Sequence, residues 1–329
     1  VGVVGTEIDA LIAPFERVRD GGAAVLRLPG GREEHLLGLL RELMAEELTD
    51  AGYQVIVPYC EADMKSVTAL TQDAIFSRGP KGVARTGIFI GGREALVAAD
   101  MLEQSAKAMV PPFVVSVMSD PSGSFTTAAA MVACVEAAVK KTRPDGLKGL
   151  RVVVLGGTGP VGRIAGVLAA QIGADVALSS RNGIDVAEEA AQQTGKRFGV
   201  TIHGISGGDR AAVRSSIADA HVILACAAAG VQVVSAEDLT FAKKLPVAAD
   251  VTAVPPEGVA GVGVLDNAKP IAGSTAVGIG ALAIGDVKYH TQHRLLVEMR
   301  DKPKSVLGFA EAFATARAFL AESAAGKGG

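Results

Sequence analysis

Arg151-Val152-Val153-Val154-Leu155-Gly156-Gly157-Thr158-Gly159-Pro160-Val161-Gly162 is the stretch whose reading decides the fold. A β-branched apolar run, Arg151–Leu155, passes directly into a glycine-rich turn, and helical spacing follows over Val161–Gly173. Gly157, Gly159 and Gly162 stand in GxGxxG order. In that order the first glycine permits a tight turn, the second lets the backbone approach a pyrophosphate, and the third lets helix and strand pack closely. The N-terminus of the following helix offers unpaired N–H groups and a partial positive charge to phosphate oxygens. GxGxxG alone is a weak signal; between a strand and a helix it has the context that the motif requires.

The next apolar run, Asp175–Ser179, continues into Ser180 and Arg181. A site for NAD usually places Asp or Glu there, to accept from the adenosine-ribose 2′-hydroxyl. Here no carboxylate at that strand end repels a 2′-phosphate, and Arg181 can bind one through two parallel hydrogen bonds. The expectation is NADP, with NAD as the lesser alternative.

Further along, polar helical segments lead to the short apolar runs His221–Ala225 and Pro246–Val251. Short apolar runs alternating with helices read as βαβ units on a parallel sheet. The first half has the same character. Gln54–Pro58, Thr86–Ile90 and Pro112–Val117 read as strands; Glu34–Thr49 and Arg93–Met109 read as helices. The turn Asp120–Ser124 feeds an Ala-rich helix over Thr126–Lys141, expected to be capped by Ser or Thr. A long segment, Gly278–Arg300, is expected to return the chain to the first domain. The expected fold class is α/β: a Rossmann-type doubly wound parallel sheet over residues 141–285, plus a smaller α/β domain over residues 1–140 completed by about 286–329, with an interdomain cleft. Val1–Val4 is a candidate strand, and Asp20-Gly21-Gly22 and Leu28–Gly31 are turn-like.

Composition limits the function classes. The chain has 329 residues, a length for two domains. Hydrophobic residues make up 49% and aromatic residues 4%. The apolar mass is therefore Ala, Val, Leu and Ile, suited to a buried parallel sheet under helices. The net charge of −3 and the absence of a basic stripe argue against nucleic acid. Cys60, Cys134 and Cys226 are far apart in apolar surroundings and read as reduced buried thiols; with no HExxH among the five histidines, no metal is expected. The longest apolar run, around Ala128–Val139, is broken by Glu136, so no membrane span is expected and the expected setting is the cytoplasm.

Several polar clusters lie outside the glycine loop: Thr71-Gln72-Asp73-Ala74-Ile75-Phe76-Ser77-Arg78, Thr86-Gly87-Ile88-Phe89-Ile90-Gly91-Gly92-Arg93, and Asp120-Pro121-Ser122-Gly123-Ser124. Each alone reads equally well as capping and turn chemistry. Together with Gly156–Gly162, Asp250-Val251-Thr252-Ala253-Val254-Pro255-Pro256 and Gly278–Tyr289, in this order, they resemble one family. It is the NAD(P)-dependent methylene-tetrahydromethanopterin dehydrogenases of bacterial one-carbon metabolism, related to methylene-tetrahydrofolate dehydrogenases. The resemblance runs from about Asp50 to the C-terminus.

The resemblance implies hydride transfer from the methylene carbon bridging N5 and N10 of a reduced pterin to the nicotinamide, giving a methenyl cation, in formaldehyde oxidation. It implies a tetrahydromethanopterin- or tetrahydrofolate-type carrier as partner and a homo-oligomer, dimer or trimer. The cofactor set is then Gly157, Thr158, Gly159, Pro160, Val161, Gly162, Ser180, Arg181, Ala227 and Asp250. The substrate set is Gln72, Asp73, Phe76, Arg78, Gly91, Ser122, Gly123, Ser124 and Lys288. Lys288 and Asp120 are the expected catalytic residues. The chemistry needs no proton transfer, because the product cation is stabilised by its flanking nitrogens. The protein's tasks are contact and exclusion of water. A carboxylate, Asp120 or Asp73, can steady the developing charge. A charged lysine beside that cation is unfavourable, so Lys288 is expected to bind a pterin carbonyl or phosphate, or to be partly neutral.

One departure stands out. Family members open the first domain with a Ser-Pro-Phe-Asp-like helix start, where this chain has Arg41-Glu42-Leu43-Met44. The aspartate falls at Met44, with Glu42, Glu46 and Glu47 as the nearby carboxylates. Three rival readings remain: the same reaction on tetrahydrofolate, with or without cyclohydrolase activity; a shikimate- or quinate-type dehydrogenase using Lys65 with Asp73 or Asp120; and a non-catalytic NADP-binding sensor.

Overall fold

The computed structural model describes residues 22–27 and 47–326. The expected strand at Val1–Val4, the turns at Asp20-Gly21 and Leu28–Gly31, most of the helix expected over Glu34–Thr49, and Met44 lie outside these residues. The chain separates into two compact units: Val1–Phe125 with Gln292–Ala312, and Thr126–Thr291 with Phe313–Gly329.

The first unit holds a five-stranded, fully parallel sheet. Its strands are β1 (Gly22–Arg27), β2 (Val55–Tyr59), β3 (Thr86–Gly91), β4 (Ser116–Ser119) and β12 (Val306–Leu307), in the order β12-β4-β3-β1-β2. Helices α1 (Val67–Phe76), α2 (Pro80–Val83) and α3 (Ala95–Ala108) lie between the strands. Ile75 and Met101 from the helices pack with Val57, Ile88, Ile90 and Val117 from the strands in one core. β3 is buried at every position but its last, which is why Gly-Ile-Phe-Ile reads as a continuous apolar run. Two elements differ from the sequence reading. β1 pairs with both β2 and β3 although it lies between two turn-like segments. β4 starts at Ser116, four residues after the Pro112 that opens the expected Pro112–Val117 strand and cannot donate to a ladder.

The second unit holds seven strands in the order β10-β11-β9-β8-β5-β6-β7. They are β5 (Arg151–Leu155), β6 (Asp175–Ser180), β7 (His203–Ser206), β8 (Val222–Ala225), β9 (Val247–Asp250), β10 (Asn267–Pro270) and β11 (Val277–Ile279). All pairings are parallel except β10 with β11. The helices are α4 (Ser124–Lys140), α5 (Pro160–Gln171), α6 (Ile184–Phe198), α7 (Arg210–Ile217), α8 (Ala236–Leu239), α9 (Ala281–Asp301) and α10 (Phe309–Gly326), of which α4, α9 and α10 pass from one unit into the other. Val153, Ile223 and Ala248 from adjacent strands share one core with Ile217 and Leu239. Each buried Val or Ile of that kind contributes about 1.5–3 kcal/mol. From β5 the order runs as in the 3-2-1-4-5-6 dinucleotide fold, with β7, β6, β5, β8, β9 and β11 in those places. β7 was not apparent in the sequence, because its four residues include a single apolar side chain, Ile205, and none is buried.

α5 starts where Pro160 needs no N–H partner and stops just before Gly173, whose φ is +91°. The segment Pro121–Lys140 corrects one expectation: over 20 residues, with mean hydropathy 1.3, it has the length and composition of a membrane span. Glu136 is one charge in a long helix and does not reset its average. The window is 72% buried, as a core helix is. At the start of α4, where a Ser or Thr cap was expected, Asp120 Oδ1 accepts from the Phe125 N–H at 2.9 Å.

Candidate functional site

The glycine loop leaves β5 at the switch point between β5 and β8, where the strand order reverses. Gly156 makes the turn. Its φ is +73°, and a Cβ there would lie 2.7 Å from the backbone nitrogen of Ala227 on the loop after β8. Gly157, assigned the turn in the sequence, has a different duty: its Cβ would lie 2.8 Å from Leu178 Cβ on β6. A Cβ on Gly162 would lie 2.7 Å from the Gly157 Cα, so that glycine brings helix to strand as expected. A Cβ on Gly159 would meet only the Gly156 carbonyl oxygen, at 3.5 Å. No side chain caps α5 at Gly159. Arg163, absent from the sequence reading, donates from Nε to the Thr158 carbonyl oxygen at 3.0 Å and from Nη1 to Thr194 Oγ1 at 3.1 Å.

A cleft of about 580 Å³ opens above this loop. Thr158, Gly159, Ser180, Arg181 and Ala227 line it, so five of the ten expected cofactor residues meet there. Ser180 is buried and its Oγ accepts from the Asn182 N–H at 3.1 Å; Arg181 is exposed. Cys226 also lines the cleft. Burial, with the charge of Asp250 adding to it, pushes the Cys226 thiol up to about 12 and keeps it neutral. Cys60 and Cys226 keep some exposed surface, and Cys134 is buried. The loop after β7 contributes Gly207, Gly208, Asp209 and Arg210 to the same cleft. A carboxylate therefore does face this space, from the neighbouring strand rather than from the end of β6. The glycine turn, an uncapped helix start and facing polar groups suit a pyrophosphate-bearing dinucleotide.

Asp250 stands apart from the lining. Its Oδ1 accepts from the Thr252 N–H at 2.8 Å and its Oδ2 from the Val259 N–H at 2.9 Å, so it folds the loop after β9. Lys288 sits half-buried on α9, in the second unit; Asp120 belongs to the first.

In the first unit the expected substrate residues fall on two edges of the sheet. Gly91 ends β3, and Ser122, Gly123 and Ser124 follow the end of β4. Ser122 Oγ donates to the Gly92 carbonyl oxygen at 2.6 Å and joins the two turns, with Ser122 held at φ +51°. Ser124 Oγ is buried with no hydrogen-bond partner among the described residues. Asp120, four residues earlier, is 1% exposed. This is the carboxyl edge of a parallel sheet, where such folds take ligands. Arg78, by contrast, donates from Nη1 to Thr86 Oγ1 at 3.0 Å, at the first residue of β3. Six strand residues separate the edges by about 16 Å. Phe76, 57% exposed, lies against Phe113 with ring centroids 5.8 Å apart, ahead of β4. α1 runs along the sheet, so Arg78 lies at the edge opposite Ser122. Gln72 and Asp73 are on the last two turns of α1. The charge of Asp73 reaches Tyr59, which ends β2; burial first, and Asp73 second, raise the Tyr59 hydroxyl pKa. Tyr59 was missed, because the sequence reading stopped the strand at Pro58. Lys65 uses its backbone N–H on Asp63 Oδ1 ahead of α1. Among the described residues no three His, Cys, Asp or Glu side chains gather as a metal site.

A 3-2-1-4-5-6 sheet with a glycine loop at its switch point defines a Rossmann-type dinucleotide-binding protein. Shikimate 5-dehydrogenase from Listeria monocytogenes, solved with shikimate and NAD, shares the fold, with a TM-score of 0.51 and 13% identity over 92% of this chain and 96% of that one. A family profile described as methylene-tetrahydromethanopterin dehydrogenase, N-terminal, matches residues 45–122. The NAD(P)-dependent methylenetetrahydromethanopterin dehydrogenase of Methylorubrum extorquens is 44% identical over 283 residues, covering 85% of this chain and 95% of the relative. The bifunctional protein MdtA of the same organism is 32% identical over 268 residues, covering 82% of this chain and 91% of that protein. The chain belongs to the NAD(P)-dependent methylenetetrahydromethanopterin dehydrogenase family.

Proposed function

We propose that the protein oxidises methylene-tetrahydromethanopterin to the methenyl form, using NADP in preference to NAD, in formaldehyde oxidation. The 44% identity across 95% of a relative named for that reaction carries the reading. A bound nicotinamide supplies the hydride acceptor. The chain's own residues hold the dinucleotide through the Gly156–Gly162 loop, Ser180 and Arg181. On the pterin side, Gly91, Ser122, Gly123 and Ser124 bind the substrate at the carboxyl edge of the first sheet. Asp120 balances the positive charge that develops as hydride leaves, and Lys288 binds a pterin carbonyl or phosphate. Ser124 Oγ supports a polar ligand there, because a buried hydroxyl without a partner carries a desolvation penalty that a ligand atom would relieve. Phe76 and Arg78 serve the opposite edge, with Arg78 holding Thr86. The homo-oligomer and the cytoplasmic setting belong to the same reading, and sedimentation of the purified chain tests the first.

The test is a spectrophotometric assay with methylene-tetrahydromethanopterin and methylene-tetrahydrofolate, each offered NADP and NAD. The expected result is fastest turnover with the methanopterin substrate and NADP. No turnover with any pair, despite nucleotide binding, would leave the sensor reading in its place.

A further inference from the structure

We propose that Asp209 is a specificity-determining residue of the dinucleotide cleft, accepting from the adenosine-ribose hydroxyls of NAD and repelling the 2′-phosphate of NADP. This rests on the dinucleotide reading of the cleft and on no assumption about the substrate. In this fold the acid that meets the ribose usually ends the second strand, and here that place holds Ser180 and Arg181. The sheet supplies a carboxylate by another route. β7 pairs with β6 so that Ser206 lies beside Ser180. The loop after β7 then runs on the loop after β6: the Gly207 N–H donates to the Ser180 carbonyl oxygen at 2.9 Å. A Cβ on Gly207 would lie 2.2 Å from Ser179 Oγ, and one on Gly208 would lie 3.3 Å from the Arg181 carbonyl oxygen. Two residues without side chains allow this approach, and Asp209 follows directly. Asp209 and Arg181 therefore face one cleft from adjacent loops.

The carboxylate of Asp209 is positioned before any ligand arrives. Oδ1 accepts from the Ala212 N–H at 2.8 Å as the cap of α7. Oδ2 has no hydrogen bond among the described residues. The neighbouring cation does not neutralise it, because Arg210 is turned to the buried Asp238 at 2.6 Å. A capped, fixed carboxylate is a good acceptor for a ribose hydroxyl. Against a 2′-phosphate, whose charge is about −1.5 to −2, it is repulsive. Arg181 acts in the opposite sense. The pair leaves both nucleotides usable and sets their ratio.

The experiment is titration of the full chain with NADH and with NADPH, followed by nucleotide fluorescence, for the wild type, Asp209→Asn and Asp209→Ala. Asn caps a helix about as well as Asp, so the first variant removes the charge and keeps α7. Asp209→Asn is expected to tighten NADPH and weaken NADH, each about three- to tenfold in Kd. Asp209→Ala should shift the ratio the same way, with both affinities lowered by loss of the cap. If Asp209→Asn leaves both Kd values unchanged, or moves both in one direction, Asp209 is a cap alone and the proposal is overturned. Opposite shifts in a chain that turns over no pterin would keep this inference and sink the reaction assigned above. A wild type that binds neither nucleotide would overturn both.

Discussion

Arg163 Nε donates to the carbonyl oxygen of Thr158 at 3.0 Å, tying the middle of the glycine loop to the helix that the loop opens. The same guanidinium reaches Thr194 Oγ1 at 3.1 Å and the Ala190 carbonyl oxygen at 3.3 Å, both on α6. It thus fixes the loop to the helix that follows Arg181. With the Thr158 carbonyl held by Arg163, the loop is ordered before a ligand arrives. Arg163→Leu is expected to weaken NADPH binding about tenfold, since a loop that must be ordered on binding loses affinity. Thermal unfolding and an NADPH titration check it. A lower Tm with unchanged Kd would confine Arg163 to holding α6.

Two glycines one turn apart separate folding from binding. Gly156→Ala places a Cβ 2.7 Å from a backbone nitrogen at a φ of +73°, so the two loops of the switch point must part. The conformation costs about 1–2 kcal/mol and the clash adds to it. Gly159→Ala meets nothing closer than 3.5 Å. Gly156→Ala should lower both Tm and nucleotide affinity. Gly159→Ala should keep the wild-type Tm and lose affinity at least about tenfold, because its methyl occupies the approach to the phosphates. Equal Tm losses in the two would refute the division.

Arg181→Asp is expected to raise the Kd of NADPH at least about tenfold more than that of NADH, since it exchanges a bidentate cation for a repelling anion. Equal changes for the two nucleotides would remove Arg181 from the 2′-phosphate site.

Asp238 is buried behind the cleft lining and holds Arg210, a lining residue, at 2.6 Å. Burial pushes its carboxyl up. The Ser235 backbone N–H, the Arg214 side chain, the Ser235 hydroxyl and Arg210 outweigh that and hold it below the usual carboxylate range. A carboxyl with a depressed folded pKa adds stability above its unfolded value, about 3.9, and that stability is lost as pH falls through the folded value. Asp238→Asn should therefore cost about 1–3 kcal/mol at pH 7. The gap to wild type should narrow as the pH drops below about 4. Urea unfolding at pH 7, 5 and 3 measures it; a gap independent of pH would show that packing, not ionisation, sets the loss.

The sequence made the β5–α5 turn legible because strand, glycines and helix lie side by side in the chain. The same holds for Arg181, one residue beyond β6. What escaped depends on pairing across the sheet. β1 is six residues between turn-like segments, and only its ladders with β2 and β3 mark it as a central strand. Asp209 enters the cleft because β7 pairs with β6. Asp250 ends a strand at the carboxyl edge, as a ligand residue should, yet two backbone N–H groups from its own loop take its oxygens. The motif Gln72–Arg78 is contiguous in sequence and is spread along α1 in space, which carries Arg78 to the opposite edge.

Lys288 gives the sharpest test of the pterin reading. It lies half-buried in the middle of α9, seven residues after the helix starts, where a substitution leaves the helix ends intact. A cationic ammonium beside a carbon that becomes positive would raise the barrier, by about 1 kcal/mol or more at contact distance. On the proposed reading, Lys288 is therefore expected to bind a pterin carbonyl or phosphate rather than to face the cation. Lys288→Ala should raise the pterin KM about tenfold or more, with the NADP KM unchanged. Lys288→Met, which keeps the aliphatic stem, should behave like Ala if the charge is what binds, and like wild type if packing is. A variant with unaltered kcat and pterin KM would take Lys288 out of the site. A fall in kcat at unchanged pterin KM would instead place the ammonium on an interaction made only in the transition state.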